Sequence, residues 1–224
     1  QERIWTAGLL VIGDEILSGR TQDKNIAQIG SWLNVQGIRL SEVRVVGDTA
    51  QAIGEAVNAL RTAYDYCFTT GGIGPTHDDI TVDSVAAALG VPVVVHPEAR
   101  RMLEEYYATR GGINEGRLMM ARVPQGAQLI DNPVSKAPGI RIGNLFIMAG
   151  IPSVTAGMLE GLTGKLEGGR PLVSVTVPLI CAVACAHAEA ATRRARTLPN
   201  TTRTRRFIQS LLKRLDAAGY TSVV

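Results

Sequence analysis

Thr69-Thr70-Gly71-Gly72-Ile73-Gly74-Pro75-Thr76-His77-Asp78-Asp79-Ile80-Thr81 is the stretch on which the reading of this chain turns. It follows Tyr66-Cys67-Phe68, an apolar run of strand character. It leads into Val82–Leu89, which reads as a helix closed by Gly90. Gly71, Gly72 and Gly74 make a strand-to-helix turn whose backbone can come close to a guest, with no side chains in the way. Free N–H groups at the start of the next helix favour negative charge, so a phosphate is the natural guest. In open α/β sheets, ligands collect at this carboxyl edge of the strands.

Outward from the turn, apolar strand-like runs alternate with helix-period segments. Trp5–Ile12 reads as a buried strand ended by Gly13. Ile26, Ile29 and Leu33 mark a helix over 24–35 that stops at Gly37, and Ile38–Val46 is a second strand. Thr49 caps a helix over Ala50–Arg61 whose Ile53, Val57 and Leu60 share a face. Beyond the turn come a short buried strand, Val91–Val95, a helix from Pro97 to Tyr107, a break at Gly111-Gly112 and a helix over Glu115–Arg122. Ala127–Ile130, Ile140–Ile142, Leu145–Met148 and the late Leu172–Val177 read as strands, with a helix from Pro152 to about Leu162. Strands separated by helices of this length pair in parallel with helices on both faces. The expected fold class is therefore α/β, a three-layer α/β/α domain with a mostly parallel sheet, over residues 1–180. A basic extension with one amphipathic helix follows over 181–224.

Composition narrows the rest. With 46% hydrophobic and 19% charged residues in 224, the chain can bury a core, which excludes wholesale disorder. No apolar run reaches the roughly 20 residues a membrane span needs. Asp14 and Glu15 interrupt the apolar start, and no small-residue cleavage site follows, so a secretory leader is not expected. The first residue is not Met, which reads as a trimmed front end. Three cysteines do not make a disulfide framework, and a cytoplasmic compartment is expected. Cys181, Cys185 and His187 lack the fourth ligand of a closed zinc site.

The formal charge of +3 hides a split. Residues 1–189 carry 15 basic and 19 acidic side chains, whereas residues 190–224 carry 8 basic side chains and only Asp216 as an acid. No aromatic residue is interleaved among the arginines of Arg193–Arg206, so a stacking platform for nucleic acid is missing. A solvated segment is the expectation there.

Asp78-Asp79 beside a phosphate cradle is paradoxical unless a divalent cation sits between the carboxylates and the phosphate. That points to Mg²⁺ held by Asp78, Asp79 or both. The ordinary alternative makes Asp79 a helix N-cap and Gly71–Gly74 a tight turn. It accounts for each residue singly, but less well for the whole string. Neither standard nucleotide fingerprint is present. Gly72–His77 lacks the last glycine of the dinucleotide pattern, and Gly161–Leu166 has Leu166 where a P-loop needs Ser or Thr.

The string Thr70–Thr81 resembles the signature of the molybdopterin-binding (MoaB/Mog-like) domain, in the form found in the amino-terminal domain of competence/damage-inducible protein A (CinA). Further pieces match in order: Gly13–Gly19, Asp23-Lys24-Asn25, Val46-Gly47-Asp48, Asn132-Pro133-Val134, Ala137-Pro138-Gly139 and Gly150-Ile151-Pro152-Ser153. The resemblance covers roughly residues 4–178. It implies a pocket for a phosphorylated small molecule, either molybdopterin or a nucleotide. Some members adenylate molybdopterin with ATP and Mg²⁺, and CinA-like members are linked to hydrolysis of the ADP-ribose pyrophosphate.

Carried across, Asp48 and Asp79 match the two acids tied to adenylyl transfer, and Thr70, Gly71, Gly72 and Gly74 match the phosphate cradle. Asp14, Ser18 and Gly19 match a loop lining the same pocket, and Pro152 and Ser153 a turn that meets the ligand from the far side. Ala149 stands where that turn usually has its first proline. The resemblance also implies a homo-oligomer, dimer or trimer. His77 is open to two readings, metal ligand or solvated side chain. Tyr106-Tyr107 is too, as pocket or oligomer contact against helix-face packing, with packing as the default.

Overall fold

The structure, a computed structural model, describes residues 3–166. The expected late strand over Leu172–Val177, the domain boundary at 180 and the whole extension over 181–224 lie outside the described residues.

The central strands are apolar on both faces because helices cover both. β1 (Trp5–Ile12) is followed by a single helical turn, α1 (Asp14–Leu17), then α2 (Asn25–Val35), β2 (Ile38–Val46), α3 (Ala50–Ala63), β3 (Tyr66–Thr70) and α4 (Thr81–Leu89). A second group comprises β4 (Val93–Val95), α5 (Pro97–Tyr107), α6 (Glu115–Met119) and β5 (Arg122–Pro124). The chain then returns through β6 (Gln128–Ile130), β7 (Gly139–Ile142), β8 (Leu145–Met148) and α7 (Pro152–Leu162). The six-stranded sheet runs β2-β1-β3-β8-β7-β6. β2, β1, β3 and β8 pair in parallel, while β7 is antiparallel to both its neighbours.

Alternation along the strands builds two cores. Leu9 and Val11 of β1, Phe68 of β3, and Phe146 and Met148 of β8 face α2 and α7. Leu10 and Ile12, Cys67, and Leu145 and Ile147 face α3 and α4. The Phe68 and Phe146 rings stack at 4.9 Å between centroids. This is the expected three-layer α/β/α arrangement. Thr49 caps α3 as read, its hydroxyl accepting from the Ala52 N–H at 3.3 Å. Among the described residues, no helix is long and apolar enough to cross a membrane.

Two local expectations are corrected. The valine run at 91–95 is not a buried strand of the main sheet. Only Val93–Val95 is strand, Val95 is 42% exposed, and the partner is β5 in a separate two-stranded antiparallel sheet. The helix expected to reach Arg122 stops at Met119, since the β-branched Val123 and the ring of Pro124 suit that short strand instead. Gly143-Asn144 closes a two-residue hairpin between β7 and β8, with Gly143 at φ 58°, which sets β7 antiparallel to β8.

Candidate functional site

The order β2-β1-β3 means that the chain leaves β1 for one side of the sheet and comes back to its other side. The carboxyl ends of β1 and β3 therefore splay their following loops apart, the switch point where open α/β sheets bind ligands. A cavity of about 720 Å³ lies there, walled by Val11–Gly13 after β1, Thr70–Pro75 after β3 and Ala149–Pro152 after β8.

The glycine turn is built backbone against backbone. A Cβ on Gly71 (φ 103°) would lie 2.2 Å from the Ile12 carbonyl oxygen, and one on Gly72 (φ 66°) would lie 2.2 Å from the Thr81 hydroxyl oxygen. No side chain fits at either position. Thr81, fully buried at the start of α4, spans the turn. Its hydroxyl donates to the Gly71 carbonyl at 2.9 Å, and its N–H donates to the Gly72 carbonyl at 3.0 Å. The hydroxyls of Thr69 and Thr70 are buried and have no hydrogen-bond partner, and Thr70 lines the cavity. A buried hydroxyl without a partner is costly, and the one on Thr70 belongs to a residue of the cavity wall.

Asp79 does not cap α4, whose N-cap is Ile80 with no side-chain bond. Instead one Asp79 oxygen accepts from the Thr76 N–H at 2.9 Å and the Thr76 hydroxyl at 2.5 Å. Gly74 makes room for this, since a Cβ there would approach the same oxygen to 2.6 Å. Across the cavity, Asp48 is held by a reciprocal pair of bonds. Its carboxylate accepts from the Asp14 N–H at 2.8 Å, and its own N–H donates to the Asp14 carboxylate at 3.4 Å.

Of the residues singled out in the sequence, Thr70, Gly71, Gly72, Gly74, Asp48, Asp78, Asp79 and Pro152 line this cavity. Asp14, Ser18, Gly19 and Ser153 are not among its lining residues. Asp14 stands behind Asp48. The Ser18 hydroxyl donates to the Glu15 carbonyl and accepts from Arg20, because α1 curls this loop into a helical turn. His77 is 93% exposed outside the cavity, 3.3 Å from the carboxylate of Asp78, itself 83% exposed. An ion pair that open to water contributes little.

The structure also recruits residues given no role from the sequence. Asn25 is buried and donates to the Gly150 carbonyl at 2.8 Å, tying α2 to the far turn. Buried Asn132 donates to the Ser135 hydroxyl and the Ala137 carbonyl, both at 2.7 Å, and accepts from the Val134 and Ser135 N–H groups. It thereby shapes the turn in which Lys136 takes φ 60°. The sequence signals for that turn were a polar residue beside proline in Asn132-Pro133 and the family match of Asn132-Pro133-Val134.

The cavity is acidic. Glu15, Asp23, Asp48, Asp78 and Asp79 line it, against Lys24 as the one basic side chain of its lining. Among the described residues, no group of three His, Cys, Asp or Glu side chains could hold a metal ion. Asp48, Asp78 and Asp79 are the carboxylates of the lining that could each contribute an oxygen to a divalent cation, with the rest of its shell supplied by other oxygens.

Residues 8–167 match the family model described as "Probable molybdopterin binding domain". A protein of Aeropyrum pernix is 37% identical over 184 residues, covering 80% of this chain and 66% of that protein. A CinA-like protein of Desulfosudis oleivorans is 34% identical over 174 residues, 73% of this chain and 42% of its own. The crystal structure of the protein CinA from Thermoplasma acidophilum, described as of unknown function, aligns with a TM-score of 0.65 at 32% identity, covering 70% of this chain and 96% of that one. The chain spans about two thirds or less of the length of the curated relatives it matches. With the fold and the glycine turn as they stand, the chain belongs to the molybdopterin-binding domain family and, within it, is CinA-like.

Proposed function

We propose that the cavity binds a phosphorylated pterin or dinucleotide together with a divalent cation, and that the chain hydrolyses the pyrophosphate of ADP-ribose. The observation that carries the phosphate reading is the side-chain-free turn Gly71-Gly72 with the unpaired Thr70 hydroxyl beside it, at the switch point of the sheet. ADP-ribose as the substrate rests on the resemblance of Thr70–Thr81 to the CinA form of the signature.

Magnesium, when bound near Asp48 and Asp79, would neutralise phosphate charge and polarise a phosphoryl oxygen. The chain's own part is to bind and orient. The Gly71-Gly72 backbone and the Thr70 hydroxyl hold the diphosphate, and Thr76 keeps one Asp79 oxygen engaged so that the carboxylate has a fixed direction. Water then attacks one phosphorus, its P–O bond to the bridging oxygen breaks, and AMP and ribose 5-phosphate leave as dianions with release of two protons.

A second reading, adenylyl transfer from ATP to molybdopterin, is favoured by one fact, that Asp48 and Asp79 line the same cavity. Incubation with ADP-ribose and Mg²⁺ should yield AMP and ribose 5-phosphate, and Asp79→Asn should abolish this while leaving the unfolding midpoint in place. Pyrophosphate released only from ATP with molybdopterin would transfer the assignment to the second reading. Binding without turnover in either mixture would make this a carrier domain. Self-association into dimers or trimers belongs to the same proposal, and light scattering decides it.

A further inference from the structure

β4, α5, α6 and β5 form a small lobe with its own cluster of buried residues, Ala99, Leu103 and Ala121. Tyr107, Met120 and Ala137 pack on that cluster, and the same three side chains line the cavity. The lobe's apolar core thus continues into the cavity wall, beside the apolar Val154 and Met158 of α7 and the acidic side chains. The lobe is seated on the glycine loop, because a Cβ on Gly116 of α6 would come within 2.8 Å of the Pro75 carbonyl oxygen. It is also bound to α4 by the Arg122 guanidinium, which donates to both carboxylate oxygens of Asp83 at 2.5 and 3.1 Å.

Tyr107 ends α5, and its ring is fixed before any guest arrives. The Arg117 guanidinium lies over one face at 4.1 Å, and the Tyr106 ring meets it edge-on at 5.0 Å. Arg117 is itself tethered, its guanidinium to the Gly112 carbonyl and its N–H to the Asn114 side chain at 2.8 Å. With Arg117 over one face, a guest reaching Tyr107 from the cavity can stack only on the part of the ring that neither Arg117 nor Tyr106 covers.

From this geometry we infer that Tyr107 is the stacking wall for a planar heteroaromatic ring, placed opposite the glycine turn that takes the phosphate end of the same molecule. The inference deepens the reading given under Proposed function and rests on it. Aromatic faces attract flat π-systems and offer nothing to a bare phosphate, so Tyr107 favours a ring-bearing guest over a ring-free one without adding charge to the site.

The test is calorimetric titration, with Mg²⁺, of wild type, Tyr107→Leu, Tyr107→Ala and Tyr107→Phe. The ring-bearing probes are AMP and neopterin monophosphate, which carry no diphosphate to hydrolyse, and inorganic pyrophosphate is the ring-free one. Expected is roughly a tenfold or greater loss of affinity for the ring-bearing probes in the Leu and Ala variants, with Phe near wild type and pyrophosphate unchanged in all. The contrast between AMP and neopterin monophosphate tells which ring is preferred. Unchanged affinity for ring-bearing probes in the Leu variant, or an equal loss for pyrophosphate, overturns the inference. Wild type that takes pyrophosphate but no ring-bearing probe also overturns it, and leaves the phosphate reading standing. Wild type that takes neither overturns both. The Leu variant keeps apolar bulk on the lobe, so a folding defect in the Ala variant leaves the outcome readable.

Discussion

Thr81 shows how one side chain can hold a loop to its helix. Its hydroxyl is the hydrogen-bond partner of a carbonyl in a turn where a Cβ would collide, so removing it orphans a buried acceptor. Thr81→Val should cost about 1–3 kcal/mol in denaturant unfolding, and Thr81→Ser should recover most of that. An unaffected Val variant would mean the turn is held elsewhere. Gly74 tests the other side of the loop. Its backbone is not in the left-handed region, so alanine is tolerated locally, but the new methyl must displace the Asp79 carboxylate. Gly74→Ala should therefore weaken phosphate-ligand binding with little change in melting temperature. A matching loss of stability would place the damage in the fold and not in the site.

At the level of elements, the strand β1 and the turn before β3 are tied through Asp65, which accepts from the N–H and hydroxyl of Thr6 and from Arg3. Burial alone pushes its carboxyl up, but the Thr6 bonds and the Arg3 charge together hold it below the ordinary range. A depressed folded pKa means the stabilisation is present above the unfolded value, near 3.9, and is lost as pH falls through the folded one. The stability gap between wild type and Asp65→Asn should be largest near neutrality and close in acid, and a constant gap across that window would contradict it. The lobe's clamp to α4 is a half-exposed ion pair, so its energy is modest. Arg122→Met should raise amide exchange in 93–95 and 122–124 several-fold while that of β1 and β3 stays put.

For the molecule as a whole, the two apolar faces of the sheet leave Cys67 with no water contact, and burial pushes its thiol up to about 12. It is thus a protonated, unreactive thiol at neutral pH. Its alkylation, followed peptide by peptide, should track global opening of the described domain, with the same denaturant midpoint as loss of tertiary structure. Fast modification under native conditions would mean that β3 opens on its own.

The chain's own chemistry settled the layers and the glycine turn. Residues alternating on β1, β3 and β8, the helical spacing of Ile53, Val57 and Leu60, and glycines at 71 and 72 act locally, through side-chain period and backbone freedom, so they are visible one segment at a time. What needed the folded molecule were pairings between residues far apart in sequence. Asn25 on the Gly150 carbonyl, Asp14 behind Asp48, and the valines of β4 paired with β5 at an exposed edge are examples. So was the entry of Tyr107 and Met120 into the cavity wall, since a helix period shows which face is apolar but not which neighbour or void it meets. Burial and contact are properties of the packed chain, and only tertiary structure assigns them.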